Sequence, residues 1–314
     1  MRKVTSKTAG EWSQGAKLEH VDKDRPGLWD PEFVDMAATK LIGLQPGMTI
    51  ADIGCGLGYL GEIYHKYTMP GGRYLGVDID QVLLDMAAKR VAKADRAHLC
   101  EFIHGDAGAI PLENGTADVT MCQTLLMHVT DPDHVVREMM RVTRPGGKVV
   151  AFEPDHRGGA GFSSVYQPTL DEEMRYLRIS RICLAGRKIG GYGDSSVGPK
   201  LPYIFHKAGL KAIRAKTTDR VVCLIPPYNT PEMKQNVERA KRRLSMKTWE
   251  PWRGETMRDY VAGGGDPAEL EQAWAIAATR EKELLAAIER GEAVTVNASH
   301  FFAVVGTVPR KVKR

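Results

Sequence analysis

The run Ala51-Asp52-Ile53-Gly54-Cys55-Gly56-Leu57-Gly58 constrains this chain more than any other feature. An apolar stretch that predicts a buried strand ends on it, and glycines follow at alternate positions before a predicted helix. Glycine tolerates positive φ and lets a ligand approach the backbone closely. A turn of this kind, at the carboxyl end of a first strand, is where a doubly wound sheet holds a nucleotide-like ligand. A ligand-free turn uses the same residue types, so the choice rests on what lies downstream.

Downstream, acids recur at strand ends. Pro70-Gly71-Gly72 is a turn, and Arg73 to Val77 predicts a second strand running into Asp78-Ile79-Asp80. Asp80 suits the N-cap of a helix over 81–93. Asp78 then stands at the strand tip, where a carboxylate accepts the hydroxyls of a ribose. A third strand, Leu99 to Ile103, leads into His104-Gly105-Asp106-Ala107, where Asp106 suits an adenine amino group. Asp118 to Cys122 predicts a fourth strand, followed by Gln123-Thr124-Leu125-Leu126-Met127-His128. Asp131-Pro132 opens a helix in the N-cap and N1 pattern. Arg144-Pro145-Gly146-Gly147 stops that helix, and Lys148 to Glu153 predicts a fifth strand.

Taken in order, these motifs resemble the class I (Rossmann-like) S-adenosylmethionine-dependent methyltransferases, over roughly residues 45–155. The nearest flavour is the group of ubiquinone/menaquinone-type C-methyltransferases and natural-product methyltransferases, which share a cofactor site and not a substrate. The resemblance implies a doubly wound, seven-stranded, mostly parallel sheet with a C-terminal antiparallel hairpin and helical cap insertions. It implies S-adenosylmethionine as cofactor. Asp52, Gly54, Cys55, Gly56 and Gly58 would meet its amino acid end, Asp78 and Ile79 its ribose, and Asp106 with Ala107 its adenine. Gln123 and His128 would face the methionine end, His128 as pocket wall rather than base. The residue types suit this ligand, which carries a sulfonium cation and no phosphate.

A nicotinamide dehydrogenase is the competing reading of the glycine turn. Its G-x-G-x-x-G fingerprint is not matched by the G-x-G-x-G at 54–58, and it leaves Asp52, Gly105-Asp106 and Arg144-Pro145-Gly146-Gly147 unexplained. Ile225-Pro226-Pro227-Tyr228 is similar to a motif of nucleic-acid amino-methyltransferases, yet lacks its leading Asp or Asn and comes far too late.

The 314 residues suffice for one large α/β domain with insertions, or a domain plus a cap. No apolar run reaches the length of a membrane span, and Met1 to Lys7 lacks the apolar core of a signal peptide. The cysteines at 55, 100, 122, 183 and 223 are scattered, with no metal-ligand spacing. A reduced, cytoplasmic setting and no metal are expected. Net charge is +5, with basic clusters at 239–243 and 310–314. A solvated helix face and tail explain them; contact with RNA or an anionic substrate is the functional alternative.

The expected organisation is a lid segment over 1–30, a cofactor-binding core over 31–153, and a cap insertion over 154–197. A core continuation over 198–228, a helical insertion over 229–291, and a final strand with basic tail over 292–314 complete it. Trp29 is a candidate lid residue. Gly190 to Ser196 reads as a flexible gate, and Leu210 to Leu224 as one long strand. Glu153, Asp155 and His156 lie at the carboxyl tip of the fifth strand, the ligand edge of such sheets. His156 is the preferred general base, with Glu153 second. Asp155, Trp29 and Tyr192 are assigned to the acceptor site and lid.

The expected function is methyl transfer to a small-molecule acceptor, with O, N, S and C nucleophiles left open. An RNA or protein methyltransferase using the basic clusters, and a cofactor-binding regulatory protein, are the alternatives. A homodimer through the helices of 229–290 is left open.

Overall fold

A computed structural model of the chain describes residues 11–24, 29–93, 97–218, 221–245 and 252–310. In chain order the elements are α1 (Gly15–Glu19), α2 (Pro31–Met36), β1 (Thr49–Ile53), α3 (Tyr59–Tyr64), β2 (Arg73–Asp78) and α4 (Gln81–Lys93). Then come β3 (Cys100–His104), β4 (Ala117–Gln123), α5 (Pro132–Val142), β5 (Thr143–Ser163), α6 (Leu170–Ile189) and α7 (Leu201–Ala208). The chain closes with β6 (Lys211–Thr217), β7 (Val221–Leu224), α8 (Pro231–Ser245), α9 (Arg253–Ala262), α10 (Pro267–Glu289) and β8 (Thr295–Thr307).

Aspartates set several helix starts. Asp30 accepts from the amides of Glu32 and Phe33, Asp80 from Val82 and Leu83, Asp131 from His134, and Asp266 from Ala268. Three of these are followed by proline at the first helical position, where its fixed φ fits and its missing N–H costs nothing.

The strands form one sheet in the order β3-β2-β1-β4-β5-β8-β6, with β7 paired to β8. β1, β2, β3, β4 and β5 are mutually parallel. β6 and β7 run antiparallel to β8. The expected doubly wound, mostly parallel sheet with a terminal antiparallel hairpin is therefore present.

Side chains alternate along these strands and feed two different cores, as the two-residue period requires. Ala51, Ile53, Leu75 and Val77 join Val135, Val136 and Met139 of α5 and Leu201 and Phe205 of α7. Ile50, Tyr74, Met121, Val150 and Phe152 join Leu60 and Tyr64 of α3 and Phe33 and Val34 of α2. Burial on both faces explains why these strands read as near-continuous apolar runs.

The chain divides into two compact units. One draws on 1–155, 192–218 and 301–314 and holds the sheet just described, apart from β7, the end of β5 beyond residue 155 and the start of β8 before residue 301. The other draws on 156–191 and 219–300. In the second unit, α6 and α9 cross at bare backbone: a Cβ on Gly186 would lie 1.7 Å from the Asp259 carbonyl oxygen, and one on Gly263 2.2 Å from that of Ile182. Ile179, Tyr260, Leu270 and Trp274 pack there, and Leu224, Val237 and Ile288 form a second cluster. Arg280 lies over the Tyr166 ring and pairs with Glu172, whose carboxylate also closes the capping box with Thr169 at the start of α6.

Three expectations need correction. The fifth strand does not end at Glu153; β5 runs to Ser163 and is 21 residues long. Its distal part follows β8, as the bond from the Ser164 amide to the Val294 carbonyl (2.9 Å) shows. The Arg144 to Gly147 turn is drawn into the start of β5, with the Gly146 amide bonded to the Val308 carbonyl. The long strand expected over 210–224 is two strands, β6 and β7, which pair with different stretches of β8, Phe302 to Thr307 and Thr295 to Ala298. Among the described residues no helix is long and apolar enough to cross a membrane. Residues 1–10 and 25–28 of the expected lid, and Lys311 to Arg314 of the basic tail, lie outside the described residues.

Candidate functional site

Beyond β1 the chain turns through Gly54, Gly56 and Gly58, all at positive φ (70°, 51° and 76°). The Gly54 and Cys55 amides donate to the Val77 carbonyl, at 2.8 and 3.1 Å. The Gly56 amide donates to Asp78 Oδ2 at 2.7 Å. A Cβ on Gly54 would sit 2.9 Å from Leu125 Cδ1, so the loop after β4 closes directly onto this turn.

Four aspartates stand around the same opening. Asp52, at the end of β1, is buried and its Oδ2 accepts from the Tyr74 hydroxyl at 2.7 Å. Asp78, at the tip of β2, accepts from Gly56 through one oxygen and from the Asp80 amide (2.9 Å) through the other. Burial pushes the Asp78 carboxyl above its ordinary value, against the pull of the Asp80 and Gly56 amides. Asp80 is buried and spends Oδ1 on the first turn of α4, while its Oδ2 has no hydrogen-bond partner among the described residues. Asp106 accepts from the Gly108 amide at 2.8 Å through Oδ1. Burial raises the Cys55 thiol well above its ordinary value, and the Asp52 and Asp78 carboxylates add to it.

The loop after β4 forms the facing wall. Gln123 is buried, with Nε2 unpartnered among the described residues. Thr124 has φ 48°, an uncommon value for a non-glycine residue. The His128 ring meets the Trp12 indole edge to face, with centroids 5.2 Å apart.

These side chains line one hollow of about 1060 Å³, part of it open to solvent. Its wall includes Asp52, Gly54, Cys55, Gly56, Asp78, Ile79, Asp106, Ala107, Gln123 and His128, as expected from the sequence motifs. Gly58 lies just outside, as the left-handed residue before α3, within 3.3 Å of Phe102 by its would-be Cβ.

The remaining assignments fare differently. Trp29 is 5% exposed and packs on Phe33, Tyr64 and Phe152; it is a core residue rather than a lid. Trp12 is the tryptophan at the hollow. Glu153 is fully buried and lines no part of the hollow. Its carboxylate accepts from the amides of Leu125 (2.8 Å), Leu126 (2.7 Å) and Met127 (3.3 Å). With its oxygens committed to amides and sealed from solvent, it is not a general base.

Asp155 and Tyr192 are half-buried in the first unit, and His156 is exposed in the second. None of the three lines the hollow. The expected gate is tightly held: Ser195 and Ser196 are buried, the Ser196 amide donates to Asp194, and a Cβ on Gly193 would lie 2.2 Å from the Met127 carbonyl. Sequence reasoning missed Asp80 as a wall residue and Tyr74 as the partner of Asp52. The Asp78-Ile79-Asp80 spacing was the available signal for Asp80; nothing local signalled Tyr74.

The donor set fits the expected cofactor. Among the described residues the hollow is lined by four aspartates and no Lys or Arg, which suits a cationic, hydroxyl-rich ligand without phosphates. Asp80 Oδ2 and Gln123 Nε2 are an acceptor and a donor left unmet on its wall, which native interiors rarely leave so. The bare backbone at Gly54 and Gly56 supplies a surface that a ligand can approach.

The methyltransferase domain family matches residues 51–151. An uncharacterized 37.1 kDa protein in transposon TN4556 of Streptomyces fradiae is 36% identical over 111 residues, covering 35% of this chain and 31% of that protein. The demethylmenaquinone methyltransferase of Lactococcus lactis is 32% identical over 117 residues (37% of this chain, 46% of that one). The ubiquinone/menaquinone biosynthesis C-methyltransferase of Hahella chejuensis is 30% identical over 168 residues (54% and 62%). The chain thus spans less than two thirds of the length of each of these relatives. With the matched stretch coinciding with the glycine turn, the strand-tip aspartates and the loop after β4, residues 51–151 are a class I, S-adenosylmethionine-dependent methyltransferase domain.

Proposed function

We propose that this chain catalyses methyl transfer from S-adenosylmethionine to a small-molecule acceptor. The observation that carries the reading is the acidic hollow: Asp52, Asp78, Asp80 and Asp106 around a glycine turn, with no Lys or Arg lining it among the described residues. When bound, the cofactor supplies a methyl carbon activated by its sulfonium, open to in-line displacement. The chain's own contribution is to bind, orient and exclude water, which accounts for much of the acceleration in such a reaction.

In this reading Asp78 receives the ribose hydroxyls, Asp106 and Ala107 meet the adenine, and Asp52 and Gln123 hold the amino acid end. Trp12, packed on His128, shields that end from solvent. A small-molecule acceptor is supported by the relatives named for quinone methylation.

Purified protein, methyl-labelled S-adenosylmethionine and a fractionated cell extract provide the test. Label in the small-molecule fraction, reduced in Asp78→Asn as S-adenosylhomocysteine binding weakens, is the expected result. Label in RNA or protein would replace the acceptor class and turn attention to Arg239 to Arg243. Tight cofactor binding with no labelled product in any fraction would make the chain a regulatory binder.

A further inference from the structure

Glu153 is a buried carboxylate that the proposed reaction does not use. It sits at the point where β5 leaves the sheet core, and its side chain reaches across to the loop after β4. Oε1 accepts from the Leu125 and Leu126 amides and Oε2 from the Met127 amide. These are successive amides of one short turn, Leu126–His128, which no side chain of its own caps. Glu153 therefore caps it from a distant strand. A buried carboxylate is tolerated only when it is hydrogen-bonded, and here the amides of one turn supply those bonds.

The turn so held is the wall of the hollow. Gln123, Thr124, Leu125, His128 and Val129 line it, and Thr124 holds φ 48° just before the capped amides. On the outer side, glycines hold the same corner. A Cβ on Gly193 would lie 2.2 Å from the Met127 carbonyl oxygen, and one on Gly198 2.7 Å from that of Glu153. The other wall, Asp78 to Asp80 and Gly105 to Ala107, hangs on bonds of its own, such as the Gly105 amide to the Asp78 carbonyl at 2.9 Å.

We infer that Glu153 is a positioning residue that sets the wall facing the methionine end of the cofactor, and not the wall facing its adenosine end. The inference rests on the proposed cofactor reading. Its consequence is selective. Loosening the Leu125 to Met127 amides displaces Gln123 and His128 and leaves the strand-tip aspartates in place.

Glu153→Gln keeps the side-chain shape and one acceptor oxygen but sets an NH2 against a backbone N–H. Equilibrium binding of S-adenosylhomocysteine and of adenosine to the full chain separates the two walls. The expected result is that S-adenosylhomocysteine weakens by about tenfold relative to adenosine in Glu153→Gln, about 1.4 kcal/mol of differential binding. Glu153→Asp, which keeps the charge but is one methylene shorter, should fall between that variant and wild type. It carries the same comparison if Glu153→Gln does not fold.

An unchanged ratio of the two affinities, with both ligands weakened alike or neither weakened, overturns the inference and leaves the cofactor reading standing. A wild-type chain that binds neither ligand overturns both.

Discussion

The closure of the β4 loop on the glycine turn makes a quantitative prediction at Gly54. Gly54→Ala adds a Cβ at φ 70°, 2.9 Å from Leu125 Cδ1 and 3.3 Å from Leu125 Cβ and Cγ. The left-handed backbone alone costs about 1–2 kcal/mol for a non-glycine residue. Forcing the Leu125 side chain and its loop to give adds about 1–3 kcal/mol, the usual range for overpacking. Gly56→Ala isolates the first contribution, because Gly56 also has positive φ (51°) yet nothing lies within 4 Å of its would-be Cβ. Denaturant unfolding should therefore rank wild type above Gly56→Ala, and Gly56→Ala above Gly54→Ala, with the last gap near the overpacking cost. A cycle with Leu125→Ala reads the contact directly: in the double variant the Cδ1 and Cγ contacts are gone and only the 3.3 Å approach to Cβ remains, so the two changes should be less costly together than their sum by about 1–3 kcal/mol. A coupling energy below about 0.5 kcal/mol, the scatter of independent sites, would refute the claim that Leu125 packs against the turn.

Other positions make shorter predictions. Asp78→Asn should weaken S-adenosylhomocysteine by about 10- to 100-fold in calorimetry, the loss of a charged hydrogen-bond partner. Because burial raises the folded Asp78 carboxyl above its unfolded value, the folded chain holds the extra proton between the two values. This group's contribution to stability is then lost as pH rises through that window, and denaturation across a pH series should show the slope flattened in Asp78→Asn. Tyr74→Phe removes only the hydroxyl that donates to Asp52 and should lower the unfolding free energy by about 1.5–3 kcal/mol, with a parallel loss of ligand affinity. Trp29→Ala should cost about 3–5 kcal/mol as a core truncation, whereas Trp12→Ala should leave unfolding nearly unchanged and speed ligand release in stopped-flow fluorescence.

Much of the site was legible because its determinants are local. A glycine run after a strand, an acid at each following strand tip and an Asp-Pro helix start need only a few neighbouring residues, and all specify backbone. Ten of the eleven expected cofactor residues line the hollow. The eleventh, Gly58, is one step further along the same turn and serves as the left-handed residue before α3. The strand boundaries failed where pairing rather than propensity decides them. β5 continues past Pro154 with β8 as its neighbour in the sheet, which no reading of residues 148–163 alone contains.

The two tryptophans and Glu153 show why the rest was hidden. Trp12 and Trp29 both precede the core, and both are aromatic with a polar handle. Trp29 is buried because Phe33, Tyr64 and Phe152, from three separate elements, converge on it; Trp12 is half-buried, with the His128 ring against it and the Lys17 ammonium over its ring. Glu153 stands at a strand tip on the ligand edge, where an acid reads as chemistry. What decides its role is the direction of its side chain, and three amides about 27 residues earlier in the chain claim that direction. A carboxylate at such an edge has two mutually exclusive uses: it can take a proton from a ligand, or it can hold the loop that the ligand touches. The amide bonds choose the second, which takes proton transfer away from Glu153. A Glu153→Gln variant whose affinity for S-adenosylhomocysteine falls relative to adenosine, while turnover at saturating cofactor persists, would show the second use; lost turnover with both affinities unaltered would show the first.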